Sequence, residues 1–204
     1  MKLSEIEKVA NETLIKARIT TPKIMADSIA EFTYGLEFEW RNLNQCSEGK
    51  VLAAINFKNK IIYLNESFER ELKNCLGRMN FSIAHELGHW LLHQNSSQVR
   101  LPIFEEEVLI CRVLDNKTDD RERQANLFAT YLLMPEKFIV ECMKDFSSPL
   151  NEYDIKTLAD IFGVSKQAMK IRLTDELKIL HVAKGMYYKN KFEALEAGGQ
   201  QKLF

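Results

Sequence analysis

His85, Glu86 and His89 stand in the order His-Glu-Leu-Gly-His. On a helix, residues four apart lie one above the other on the same face, so these two imidazoles can reach a single metal ion. The Glu86 carboxylate then lies near the metal's open coordination position, where it can take a proton from a water. Such a set suits metal-assisted hydrolysis, and the pattern is the signature of a zinc metallopeptidase. Phe81, Ile83 and Ala84 on one side and Trp90, Leu91 and Leu92 on the other are apolar. The pattern predicts a core helix with one polar, chemically active face.

Two histidines do not complete such a site. His93 continues the series, but eight residues of helix rise about 12 Å, too far to share an ion whose bonds are about 2 Å long. It is expected at the helix end or behind the ligands. The acidic run Glu105–Glu107 reads as a solvated loop. Glu122 is better placed, since Asn126 follows one turn later on the same face of a predicted helix. There a carboxylate can take the metal while its neighbour hydrogen-bonds a ligating histidine. Glu122 also has a structural reading, as partner of Asp119 in a capping box. Gly88 costs a helix ~1 kcal/mol relative to alanine, which points to a close approach by another element; Ala125 and Ala129 would let the Glu122 helix come near. His85, His89 and Glu122 would form a His₂Glu zinc site with one open position, the catalytic arrangement. Tyr63, His93, Arg112, Tyr131 and His181 are alternative stabilisers of an oxyanion.

These residues need elements to hold them. The Ser4…Glu7 spacing predicts a capping box opening a helix over 4–18, and Pro22 a second helix to Tyr34 before Gly35. Alternation over Leu36–Trp40 predicts a strand, and 51–57 with 60–64 a hairpin turning at Lys58-Asn59. The signature helix is expected over 70–93, an irregular stretch with a strand near Val108–Leu114 follows, and a helix over 120–134 ends at Pro135. Pro135 opens a further helix to Asp145, and two more helices split at Gly163. The tail from Ala194, with Gly198-Gly199-Gln200-Gln201, is expected to be disordered.

A net charge of −1 over 204 residues carries no polyanion-binding signature. No segment reaches the length of a transmembrane helix and no signal-like run opens the chain, so a cytoplasmic protein with no membrane partner is expected. Cys46, Cys75, Cys111 and Cys142 are scattered without a C-x-x-C pair and read as buried free thiols.

The stretch Ile155–Lys170 reads as helix, glycine turn, Ser165 cap and helix, a helix-turn-helix pattern with Lys166, Gln167 and Lys170 near the start of a would-be recognition helix. Eight Lys/Arg against five Asp/Glu from Asn151 to Lys191 is only mildly basic, and Arg172 falls where a core apolar residue belongs. DNA binding by this unit alone is not the favoured reading; packing on the rest of the chain or substrate docking is the alternative.

The run from Phe81 to His93, the run Glu122-Arg123-Gln124-Ala125-Asn126-Leu127-Phe128-Ala129, and Leu132-Leu133-Met134-Pro135 together resemble the ImmA/IrrE family of metallo-endopeptidases over roughly residues 20–175. The resemblance implies an α+β fold: a mostly helical, gluzincin-like zinc peptidase domain with a small β-sheet, followed by a helix-turn-helix-like module. The expected division is 1–148, 149–193 and a tail over 194–204. It also implies His85, His89 and Glu122 as zinc ligands, Glu86 as catalytic base, and a protein substrate, a helix-turn-helix repressor of the phage-repressor type. Ile61–Leu64 would be the strand before the active-site helix, an edge able to pair with extended substrate. The competing reading is a DNA- or repressor-binding regulator whose zinc is structural and which acts without proteolysis.

Overall fold

The computed structural model describes residues 1–44, 51–93 and 120–199, and the backbone of 109–111. The chain divides into two compact units, one of residues 1–20 with 24–133 and the other of 21–23 with 134–204.

In the first unit α1 (Leu3–Lys16) buries Ile6, Ala10, Thr13 and Leu14 on one side. It starts one residue earlier than expected, and the reach-back to its N-terminal N–H is made by Glu5 to Lys2 at 2.8 Å, not by a Ser4…Glu7 box. Helix α2 (Ala26–Tyr34) begins four residues after Pro22 and closes on Gly35 at φ 66°. Its start is set from a distance: Asn80 Oδ1 accepts the Ala26 N–H at 2.7 Å while Asn80 Nδ2 donates to the Ile24 carbonyl at 2.7 Å. Nothing local to Pro22 reveals that cap.

Strand β1 (Glu37–Arg41) keeps the expected alternation, with Phe38 and Trp40 half-buried and Glu37, Glu39 and Arg41 exposed. Strands β2 (Ala53–Asn56) and β3 (Ile61–Asn65) form the expected antiparallel hairpin, with the Asn59 N–H on Asn56 Oδ1 at 3.0 Å and Lys60 at φ 59° in its turn. The sheet order is β1-β3-β2-β4, with β4 (Leu109–Cys111) antiparallel to β2 and β1 parallel to β3. Ile61–Leu64 is therefore an interior strand, paired on both sides, and the edge expected there is corrected. Its burial follows from its run of apolar residues, which is the pattern of a strand covered on both faces.

The signature helix is also shorter than expected. A six-residue helix, α3 (Glu69–Asn74), ends at Cys75, whose ψ of 75° breaks the run, and α4 (Leu76–His93) starts afresh. Cys75 is exposed and Cys142 half-buried, which corrects the expectation of buried thiols at those two positions. Helix α5 (Asp120–Leu133) completes this unit and packs on both α4 and α1. Asp119, Arg112, Glu105–Glu107, Cys46 and the flanks of the 108–114 strand lie outside the described residues, as does the Cys111 side chain.

The second unit contains α6 (Glu136–Cys142), entered through Pro135 as expected, then α7 (Glu152–Phe162) and α8 (Lys166–Ile171). Gly163 closes α7 at φ 68°, and Ser165 Oγ accepts the Ala168 N–H to cap α8. A π-helical turn over Arg172–Glu176 leads to a hairpin, β5 (His181–Ala183) and β6 (Met186–Tyr188), turned by Lys184 and Gly185 at φ 47° and 75°. The hairpin escapes sequence reading because Lys-Gly lacks the Asn or Asp that normally advertises two left-handed turn residues. Helix α9 (Lys191–Gly198) stands where a disordered tail was expected from Ala194, and Asn190 Oδ1 caps it on the Phe192 N–H at 2.8 Å. Leu158, Phe162, Met169, Leu173 and Tyr187 form this unit's own core. Buried Arg172 is accommodated by donating to the Met134 carbonyl at 3.2 Å and to Glu176 Oε2 at 2.8 Å. Among the described residues no helix is long and apolar enough to cross a membrane.

Candidate metal centre

Helix α4 holds His85, Glu86 and His89 deep in the first unit, each no more than 2% exposed. A buried face this polar is tolerable only if its groups meet partners. The partners come from α5. Glu122 Oε2 lies 3.2 Å from His85 Nε2, and Glu122 Oε1 lies 3.0 Å from His89 Nε2. The two Nε2 atoms are themselves 3.0 Å apart. Among the described residues these three form a His/His/Glu group whose donor atoms converge tightly enough to hold one cation.

The donor set fits zinc. A tetrahedral ion with bonds of about 2.0–2.1 Å separates its ligand atoms by about 3.3 Å, close to the 3.0–3.2 Å spacings of these nitrogens and oxygens. Asn126 Oδ1 sits 3.0 Å from His85 Nδ1. An amide oxygen only accepts, so Nδ1 carries the proton and Nε2 turns its lone pair toward the cluster. One turn of α5 thus supplies both a ligand candidate and the group that orients a histidine, the spacing that singled out Glu122 and Asn126.

Gly88 shows why α5 can come so near. A Cβ there would lie 3.0 Å from Phe128 Cδ1 and 3.2 Å from the Cα and carbonyl oxygen of Ala125. Two of those three atoms are backbone, which cannot rotate aside. Ala125 itself is fully buried, so two small residues face each other where the helix backbones come nearest.

The electrostatics follow the geometry. Burial drives the pKa of His89 below its ordinary 6.5, and neighbouring His85 adds to that against the pull of Glu122. Burial would raise the pKa of Glu122, but the facing His85 and His89 rings outweigh it and hold the carboxyl well below the usual carboxylate range. An ionised Glu122 carboxylate beside a His89 ring whose charged form is disfavoured suits a cation, which needs a deprotonated carboxylate and a free imidazole lone pair.

The remaining candidates separate. Tyr63 is buried in a small cluster with Leu43, Val51 and Ala54, its ring covered by the Arg41 guanidinium at 5.0 Å. Tyr131 lies nine residues beyond Glu122, about half a turn around the α5 axis. His181 belongs to the other unit, and Arg112 lies outside the described residues. His93 does not join the donor atoms; its Nε2 lies 3.3 Å from the Arg121 carbonyl oxygen, at the helix end as its spacing requires. Sequence reasoning missed the Phe57 ring, which stacks on Trp90 at 5.8 Å and closes the C-terminal turns of α4. No local signal could reveal a residue donated by the β2–β3 turn.

In the second unit two of the three recognition-helix candidates are already engaged. Glu152 pairs with Lys166 at 3.0 Å and Lys170 at 3.6 Å, and also accepts from the Tyr187 hydroxyl. These contacts push the pKa of Glu152 down to about 2, the Tyr187 hydrogen bond contributing most.

Comparison with known proteins places this geometry. A profile of the peptidase family described as "IrrE N-terminal-like domain" matches residues 41–174. The chain is 36% identical over 84 residues to metallopeptidase ImmA of Bacillus subtilis (strain 168), a stretch covering 41% of this chain and 39% of that protein. Among solved structures, a Mycobacterium tuberculosis transcriptional regulator superposes with a TM-score of 0.52 at 17% identity, covering 84% of this chain and 46% of that one. The second likeness is one of fold. The chain spans less than half the length of either protein.

Proposed function

Because the chain belongs to the ImmA/IrrE peptidase family, we propose that it is a zinc-dependent endopeptidase that hydrolyses a peptide bond in a helix-turn-helix transcriptional repressor of the phage-repressor type, relieving repression. The observation that carries this reading is the convergence of His85 Nε2, His89 Nε2 and both Glu122 oxygens at 3.0–3.2 Å. His85, His89 and Glu122 would hold the ion, leaving one position open. Zinc bound there supplies a Lewis acid for the scissile carbonyl and acidifies water toward a pKa of ~7.

The rest of the chemistry is the chain's own. Glu86, buried beside His85 on the same helix, takes the proton from the attacking water and returns it to the leaving amine. Asn126 holds the His85 ring and its tautomer. The burial of α4 keeps bulk water from these groups and strengthens every charge interaction among them. Glu86 distinguishes catalysis from structure, since a purely structural zinc needs no adjacent base.

The test is to incubate the zinc-loaded chain and its Glu86→Gln variant with helix-turn-helix repressors of the phage-repressor type from the same genome. Cleavage by the wild type alone is expected. Release of repressor without cleavage, equal in both, would replace the enzyme by a binding regulator with a structural zinc. The α7–turn–α8 geometry and the regulator among the structural neighbours favour examining that second reading. The engagement of Lys166 and Lys170 by Glu152 weighs against DNA binding by this unit alone.

A further inference from the structure

Helix α4 stacks three imidazoles on one face, and only two of them belong to the donor cluster. The His89 and His93 rings are 5.5 Å apart, yet His93 is directed to the backbone of α5, its Nε2 3.3 Å from the Arg121 carbonyl oxygen. A carbonyl can only accept, so Nε2 carries the proton and donates. His93 is buried, 5% exposed, and so is shielded from water that would compete for that bond. Arg121 immediately precedes Glu122 in the first turn of α5. The N–H groups of a first helical turn have no partner within the helix, so that turn opens more readily than the helix middle, and a second bond on a carbonyl the helix already uses anchors it from outside. A ligating carboxylate must nonetheless be held to within about 0.5 Å.

On this basis we propose that His93 is a positioning residue for the third metal ligand: its Nε2–H pins the Arg121 carbonyl and so fixes where α5 delivers the Glu122 carboxylate. The proposal rests on the metal-site reading above and adds a residue to it. It also divides the α4–α5 contact into two parts. Gly88 against Ala125 sets how closely the helices approach. His93 on Arg121 sets where the end of α5 stands along that contact. One spacing is steric and the other directional, and two oxygens cannot meet two nitrogens unless both are right.

The test compares zinc affinity, measured by competition with a chromophoric chelator, in the wild type, His93→Phe and His93→Gln. Phenylalanine keeps the ring and loses the donor; glutamine can place an N–H where Nε2 stood. Losses behind a ligand are typically about 10–100-fold in metal affinity, so His93→Phe is expected to bind zinc at least about ten-fold more weakly and His93→Gln to recover most of that. Amide exchange at 121–124 should be faster in His93→Phe and slowed again in His93→Gln, a local readout that a general packing defect would not follow. Wild-type affinity in His93→Phe, or an equal loss in both variants, overturns the proposal. If His93→Phe does not fold, His93→Gln decides alone: near-wild-type affinity supports the donor role and a ten-fold loss refutes it. Failure of the wild type itself to bind zinc would strike the metal site, not the role of His93 within it.

Discussion

The α4–α5 pair and the α7–α8 pair each depend on a glycine, and the two glycines are there for different reasons. Gly88 lies inside a helix, where its missing side chain leaves room for the backbone of Ala125. Gly163 ends a helix at φ 68°, with the Lys23 stem at an ordinary 3.6 Å from its absent Cβ. The first is a demand of packing and the second of backbone conformation. The charged groups divide in the same way. In the α4–α5 pair two imidazoles are buried, a half-buried carboxylate converges on them, and the ionisation of His89 and Glu122 is shifted. In the α7–α8 pair, Glu152, Lys166 and Lys170 lie at the surface and pair with one another. One carboxylate between two nitrogen-bearing side chains is thus a candidate metal centre where its partners are buried imidazoles, and a solvated brace where they are exposed ammonium groups.

The largest expected effect breaks the comparison at its centre. His89→Ala should lose bound zinc and proteolysis together, whereas Glu86→Gln should keep the metal and lose cleavage by orders of magnitude, with metal content and repressor cleavage read on the same samples. Equal cleavage by Glu86→Gln would remove the assigned base. Next in size, Asn126→Leu should weaken zinc by about 10–100-fold by freeing the His85 ring, with Glu122 left in place; chelator competition reads this directly.

A paired substitution then tests the two glycines. Gly88→Ala overpacks a tight crossing at roughly 1–3 kcal/mol, offset by ~1 kcal/mol of helix propensity. Gly163→Ala places a side chain in left-handed backbone at about 1–2 kcal/mol. Chemical denaturation should therefore find comparable losses. Zinc titration should separate them, with affinity lost in Gly88→Ala and retained in Gly163→Ala. If both variants bind zinc normally, the Gly88 crossing does not position the ligands.

The buried histidine gives a smaller, pH-dependent effect in metal-free protein. The folded pKa of His89 is below 6.5, so the unfolded chain takes up its proton first. Stability from this group is therefore present above pH 6.5 and falls as the pH drops from there toward the lower folded value. Urea midpoints of wild type and His89→Gln should draw together on acidification across that window. A wild-type midpoint that rises there would contradict the burial argument. Smallest of all, Glu152→Gln should barely move the thermal midpoint, because exposed ion pairs contribute little. The same variant sharpens the second reading: if releasing Lys166 and Lys170 produces salt-dependent DNA binding, the brace conceals a nucleic-acid surface.

Much of this was legible along the chain. His85, Glu86 and His89 follow from one spacing, Glu122 and Asn126 from another, and Gly88 from the oddity of glycine in a core helix, because helical periodicity determines which side chains share a face. The β2–β3 hairpin, the turn at Gly163 and the helix entered at Pro135 were likewise local matters of turn chemistry. What tertiary structure alone decided were the meetings between distant segments. Asn80 sets where α2 begins, Phe57 covers Trp90, Ile61–Leu64 acquires a neighbour on both sides, and His93 finds the Arg121 carbonyl. Periodicity ranks faces as polar or apolar and carries no information about which other face each will meet. That choice belongs to close packing, in which one missing methyl group at Gly88 brings two helices near enough for three side chains to share a point.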